Sequence, residues 1–332
     1  MGLMLVTGSA GHLGEGLVRV LRSAGRTVRG IDRVASAHTD LVGTITDRGF
    51  VERAMDGVTH VIHDATLHKP HVATHSRQDF VDTNITGTLN LLEEAVRARV
   101  IAFLFTSTTS TFGAALEPPA GAPAAWIDER VRPVPKNIYG VTKVAAEDLC
   151  ELAHRNQGLA CLVLRTSRFF PEADDDPTAR AAYDDANLKL NELLYRRLDV
   201  EDCVDAHVRA LEHAPRLGFG RYIITATTPF RRDDVDELRR DAPAVVTRYV
   251  PGWRKVYDEL GWRLPPSISR VYDNALARDQ LGWRPRHDFA SVLAQARELR
   301  GDIRSELTRA LGIKGYHGDA HRDGLYPVTP RT

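Results

Sequence analysis

Residues 3–17 read LMLVTGSAGHLGEGL. Leu3, Leu5 and Val6 make the short apolar run of a buried parallel strand, Gly8, Gly11 and Gly14 follow at the turn, and Leu13, Leu17, Val18 and Leu21 recur at helical spacing. Strand, glycine turn and helix in that order predict a use for each glycine. Gly8 permits the tight turn, Gly11 lets the backbone approach a pyrophosphate, and Gly14 lets helix and sheet pack closely. Phosphates would then meet the helix N-terminus, so cofactor contacts are expected at Gly8, Gly11, His12, Leu13 and Gly14.

A glycine trio also serves as an ordinary turn, so the residues after it decide. Thr27-Val28-Arg29-Gly30-Ile31-Asp32 reads as a second strand ending in an acid, roughly 20 residues beyond the glycines, as a dinucleotide fingerprint requires. Asp32 would accept hydrogen bonds from an adenosine ribose and repel a 2′-phosphate, which favours NAD. Arg33 beside it could instead pair with the phosphate of NADP.

The whole chain narrows the function classes. Its 332 residues, 43% hydrophobic, suffice for one large or two modest domains with a core. Lys and Arg together number 44, as do Asp and Glu, so no broad basic surface argues for nucleic acid or an anionic membrane. The opening residues lack a basic n-region, and no apolar run approaches membrane length, so a soluble cytoplasmic protein is expected. Cys150, Cys161 and Cys203 are widely spaced core candidates without a disulfide or zinc pattern.

Strand and helix patterns alternate through the first half, which predicts a parallel sheet covered on both faces. Strands are expected at 41–45, 58–65, 101–105 and 161–166, and helices at 48–55, 79–100 and 137–155. Ala65 and Thr66, ending the fourth strand, would lie beside the cofactor. The hydroxyl run Thr106-Ser107-Thr108-Thr109-Ser110 follows the fifth strand, where open α/β sheets bind ligands, and residues 117–135 read as a proline- and alanine-rich rim. In the next helix Ile138, Val141, Ala145, Leu149 and Leu152 read as the buried stripe. Tyr139 and Lys143 lie one turn apart on a neighbouring face. A lysine ammonium beside a phenol lowers the tyrosine pKa, which makes Tyr139 a candidate general acid or base.

TGSAGHLG, Asp32, HDAT at 63–66, Asn84 in NITGT, TSTTSTFG and the Tyr139–Lys143 pair together resemble the extended short-chain dehydrogenase/reductase family, the NAD-dependent epimerase/dehydratase group. LDVEDCVDAH and ALARDQLGWRP resemble its later landmarks, so the likeness spans most of residues 3–290. The resemblance implies a Rossmann-type α/β fold, a doubly wound parallel sheet with a smaller mixed α/β substrate lobe. It implies that Thr108 hydrogen-bonds the substrate oxygen, that Tyr139 exchanges its proton, and that Lys143 holds the nicotinamide ribose while hydride passes between substrate carbon and NAD. It adds Thr44, Ile45 and Asn84 to the cofactor contacts. Thr44 stands where relatives carry an adenine-binding Asp, and Thr109 and Ser110 stand where sugar-nucleotide 4,6-dehydratases carry an acid pair, so dehydration ranks low.

The expected organisation is a cofactor domain at 1–167, to which residues 198–226 return, a substrate lobe at 168–312 with Trp253, Trp262 and Trp283 as anchors, and an aromatic tail at 313–332. Candidate substrate contacts are His68, Lys69, Thr109, Arg168, Arg197 and Arg263. The trio His68, His71 and His75 is a weaker zinc candidate, and no metal is expected. Arg168 and Arg263 would bind an anionic part of the substrate. A nucleotide sugar and a smaller sugar, sugar acid or polyol stay open, as do epimerase against net dehydrogenase or reductase, a non-nucleotide ketone, a homodimer, and a non-catalytic cofactor sensor.

Overall fold

A computed structural model describes residues 2–174 and 176–314. Seven strands, β1 (Leu3–Thr7), β2 (Val28–Asp32), β3 (Leu41–Val42), β4 (Val58–His63), β5 (Ala102–Thr108), β7 (Cys161–Thr166) and β8 (Phe219–Ile224), form one parallel sheet in the order β3-β2-β1-β4-β5-β7-β8. The chain winds outward from β1 to β3 and then crosses to β4 on the other side. The strand order therefore reverses between β1 and β4, the crevice where such sheets bind ligands. Two short strands, β6 (Ala125–Ile127) and β9 (Arg270–Tyr272), pair in parallel apart from the main sheet, so the stretch 117–135, expected as an open rim, carries a strand of its own.

Both faces of the sheet are covered, because a parallel sheet leaves apolar side chains on both sides. On one face Met4, Val6, Ile62 and Leu104 pack against helices His12–Ser23 and Val200–Leu217. On the other, Leu5, Val61, Phe103 and Phe105 meet helices Arg48–Met55, Gly87–Arg97 and Ile138–Gln157. A separate core around Leu190, Leu194, Val245, Trp253, Tyr257 and Phe289, with half-buried Trp262 against it, lies in the second lobe. Trp283 is not part of that core. It is fully buried on the sheet side, where its indole N–H donates to the Asp202 carbonyl at 3.2 Å. Residues 315–332 of the expected aromatic tail lie outside the described residues.

Helix Ile138–Gln157 shows how local chemistry and packing divide the work. Asn137 caps it by accepting the Gly140 N–H at 3.0 Å, and Gly158 ends it at φ 71°, a left-handed conformation that suits glycine. The buried face is not the apolar stripe read from the sequence. Tyr139, Thr142, Lys143, Ala146, Glu147, Cys150 and Ala153 face inward, while Val141 and Leu152 are 48% and 40% exposed. The helix is rotated because its polar side chains find partners inside. Glu147 accepts from Ser107 at 2.5 Å and from Arg165 at 2.6 Å, a buried polar network that a hydrophobicity pattern does not register.

Candidate active site

Gly8 has φ +75°, and its α-carbon faces the backbone of Asp64 and Ala65, where a Cβ would come within 2.9 Å of the Ala65 nitrogen. A Cβ on Gly14 would lie 1.9 Å from the Gly8 carbonyl oxygen, so the turn folds back on the helix only with glycine there. Asp32 ties the same turn to β2, accepting from the Ala10 N–H at 3.0 Å and the Val34 N–H at 2.9 Å. His12 and Leu13 open the helix, and first-turn N–H groups have no partner within their own helix. Helix start, close backbone approach and a placed acid suit a dinucleotide's pyrophosphate and ribose.

Gly8, Gly11, His12, Leu13 and Asp32 line a cleft of about 970 Å³. Arg33, Thr44, Ile45, Ala65, Thr66, His68, Lys69, Thr108, Thr109, Tyr139, Arg168 and Arg197 line it as well. Gly14 and Lys143 stand behind its wall, and Asn84 and Arg263 are not part of it. Asn84, 2% exposed in the π-helical turn Val81–Thr86, accepts from Thr66 Oγ1 and the Leu67 N–H and donates to the Leu67 carbonyl and Thr142. It clamps the cofactor-side loop to the helix of Tyr139. Arg263 donates to the Ala182 carbonyl and stacks its guanidinium over Tyr183, outside the cleft, so the structure withdraws it as an anion contact there.

Thr108 ends β5 and Tyr139 opens its helix, 31 positions later, and the sheet edge brings them together. The Thr108 side chain lies beside the Tyr139 oxygen, and the tyrosine ring packs on Leu67 and Phe80. Lys143 is 2% exposed, donates to the Thr106 carbonyl at 2.6 Å and sits over the Phe105 ring. Burial brings the lysine down to about 8, with Asp64 and Glu147 opposing. The expected lowering of the tyrosine does not occur in the cleft as it stands. Burial pushes the Tyr139 phenol well above its ordinary value, the Asp64 charge adds to that, and the neighbouring Thr108 opposes it only in part.

Part of the cleft lining is cationic. Arg196 and Arg197 both pair with the fully buried Glu192, which lies near Arg168 at 3.6 Å, and these cations hold its carboxyl far below the usual range. Arg168 also pairs with Asp174. Two guanidiniums keep unused capacity: the buried Nε atoms of Arg196 and Arg270 have no hydrogen-bond partner, and among the described residues Arg270 has no ion pair. Arg270 was not singled out from the sequence. Its only sign there is the alternation of Arg270, Val271 and Tyr272, which puts the first and third on one face of a strand.

The histidine trio does not gather ligand atoms. His71 Nδ1 accepts the His68 N–H at 3.0 Å, and the His68 ring stacks on Phe170 at the cleft. Among the described residues, Asp199, Glu201 and His287 are the group whose potential ligand atoms converge, and all three have protein partners: Ser305, Arg286 and Asp202. No helix among the described residues is long and apolar enough to cross a membrane.

The model of the NAD dependent epimerase/dehydratase family matches residues 4–224. A UDP-glucose 4-epimerase of Rhizobium leguminosarum bv. trifolii is 28% identical over 337 residues, 88% of this chain and 95% of that protein. A 3 beta-hydroxysteroid dehydrogenase/Delta 5→4-isomerase of Mycobacterium tuberculosis is 27% identical, over 93% of this chain and 95% of its own. Among solved structures, a short-chain dehydrogenase/reductase superfamily protein of Agrobacterium tumefaciens with bound NAD superposes with a TM-score of 0.64 at 23% identity, covering 90% of this chain and 97% of that one.

Proposed function

Because the chain belongs to the NAD-dependent epimerase/dehydratase family, we propose that it interconverts a hydroxyl and a keto group on a carbohydrate-like substrate with an anionic portion, a nucleotide sugar first among these. The observation that carries this reading is one cleft lined both by Thr108 and Tyr139 and by Arg196, Arg197 and Arg270. Bound NAD supplies a hydride acceptor and donor at its nicotinamide. Kept protonated by its burial, Tyr139 gives its proton to a carbonyl oxygen that Thr108 helps to place. In the reverse direction the phenol needs positive charge nearby, and Lys143, one helical turn away, is the chain's own source. A non-catalytic sensor would have no use for this arrangement.

The apolar alternative suggested by the steroid-enzyme relative fits the arginines poorly. A half-buried guanidinium whose buried Nε has no partner would gain nothing from a neutral ligand that covered it, and would lose its remaining water. The test is kinetic: nicotinamide absorbance and sugar isomerisation followed with UDP-sugars, free sugars and a neutral ketone. Isomerisation without added cofactor marks an epimerase and net absorbance change a dehydrogenase. Arg270→Ala is expected to raise KM for a UDP-sugar by roughly tenfold or more, the scale of a lost charge-assisted bond, and to leave KM for the neutral ketone unchanged. Equal effects on both substrates would sink the anion reading.

A second copy of this chain is the partner we assign to the exposed apolar positions Leu89, Val141 and Leu152, carried on two helices that pack side by side. Light scattering that reports a monomer at micromolar concentration would refute it.

A further inference from the structure

Asp64 follows β4 directly, at the crevice where the strand order reverses, and lines the cleft. Its backbone N–H is fixed by Thr7 Oγ1 at 3.1 Å. Its carboxylate lies close to Thr106 and to the Gly14 N–H, between β5 and the glycine turn. Thr106 is held from behind by His207 Nε2 at 2.9 Å, and its carbonyl takes the Lys143 ammonium. The groups near this carboxylate are Lys143 and Tyr139 from helix Ile138–Gln157, Asp32 from β2, and Cys203 and a neutral His207 from helix Val200–Leu217. Burial raises the carboxyl to about 7 against the pull of Lys143. An acid in this place destabilises its own ionised form, and one cation, itself held by a carbonyl, offsets that only in part.

We propose that Asp64 sets which oxidation state of the cofactor the cleft prefers, its carboxylate favouring the positively charged oxidised nicotinamide over the neutral reduced one. The inference rests on reading the cleft as an NAD site arranged around Thr108, Tyr139 and Lys143, which puts the nicotinamide end beside Lys143 and therefore beside Asp64. An enzyme that begins each cycle by taking hydride from an alcohol gains from holding the oxidised form.

Dissociation constants for NAD⁺ and NADH, measured by titration calorimetry at pH 8.5 on wild type, Asp64→Asn and Asp64→Thr, test it. Asn keeps the shape and an acceptor oxygen while removing the charge, and Thr removes the charge with a different shape. Even with the full screening of bulk water, a unit charge about 3–4 Å from a cation is worth a ratio of roughly five- to tenfold, and weaker screening makes it larger. Both variants are therefore expected to raise Kd(NAD⁺)/Kd(NADH) about tenfold, through weaker NAD⁺ binding. A ratio within twofold of wild type in both overturns the proposal, even where both affinities fall together, since that marks a disturbed glycine turn. If wild type binds neither form, the cleft is not an NAD site and the proposal falls with that reading.

Discussion

Replacing Asn84 with Ala removes a side chain that joins the loop at Thr66 and Leu67 to the helix of Tyr139 through four hydrogen bonds of 2.8–3.0 Å. The partners do not lose equally. The Leu67 carbonyl still accepts from Thr66, and Thr142 still donates to the Tyr139 carbonyl, but the buried Leu67 N–H is stranded. A stranded buried donor costs about 1–3 kcal/mol and each lost net bond about 0.5–1.5 kcal/mol. Alanine's better helix propensity returns roughly half a kcal/mol, leaving a loss of about 3 kcal/mol. At about 2 cal/mol/K of unfolding entropy per residue, a chain of this length should melt about 4 °C lower. The same loop lines the cleft at Ala65 and Thr66, so NAD affinity measured by calorimetry is expected to fall about tenfold. Asn84→Asp, which keeps the acceptor and loses the donor, should fall between. A melting point within 1 °C of wild type together with unchanged NAD affinity would refute the clamp.

Tyr139→Phe should lower kcat on the order of 10²-fold or more and leave NAD affinity unchanged, because it removes the proton-exchanging oxygen and spares the phosphate turn; activity within a few-fold of wild type would take Tyr139 out of the mechanism. Asp32 is held by two backbone N–H groups at the end of β2, where a dinucleotide's ribose is expected, so NAD should bind more tightly than NADP in parallel titrations, and the reverse order would put Arg33 in control. Stability should fall with acid through His207, whose burial lowers it to about 4. The unfolded chain takes up that proton from about pH 6.5 downward while the native one does not, so the loss accrues between those values and reaches about 3 kcal/mol, with His63 acting in the same direction. Urea unfolding at pH 7 and pH 4.5 measures it, and a flat profile would show that His207 titrates as an ordinary histidine.

Short-range chemistry was written in the chain. The strand, glycine turn and helix at its start, Asp32 at its spacing, and Tyr139 one helical turn from Lys143 all follow from φ preferences and side-chain periods that span a few residues. What the cleft asks of individual charges was not. Arg168 and Arg263 look alike in sequence, yet one reaches the cleft and the other turns outward to Ala182 and Tyr183. Arg270 reaches the cleft only because β9 pairs with β6, about 145 residues earlier. The helix of Tyr139 turns its apolar Val141 and Leu152 outward because Glu147 and Lys143 find partners on β5 and β7. Trp283 joins the sheet side because the Asp202 carbonyl accepts its N–H there. A buried charge or polar group is tolerable only where its partners stand, and those partners come from distant parts of the chain, so the choice among equivalent-looking residues belongs to the tertiary structure.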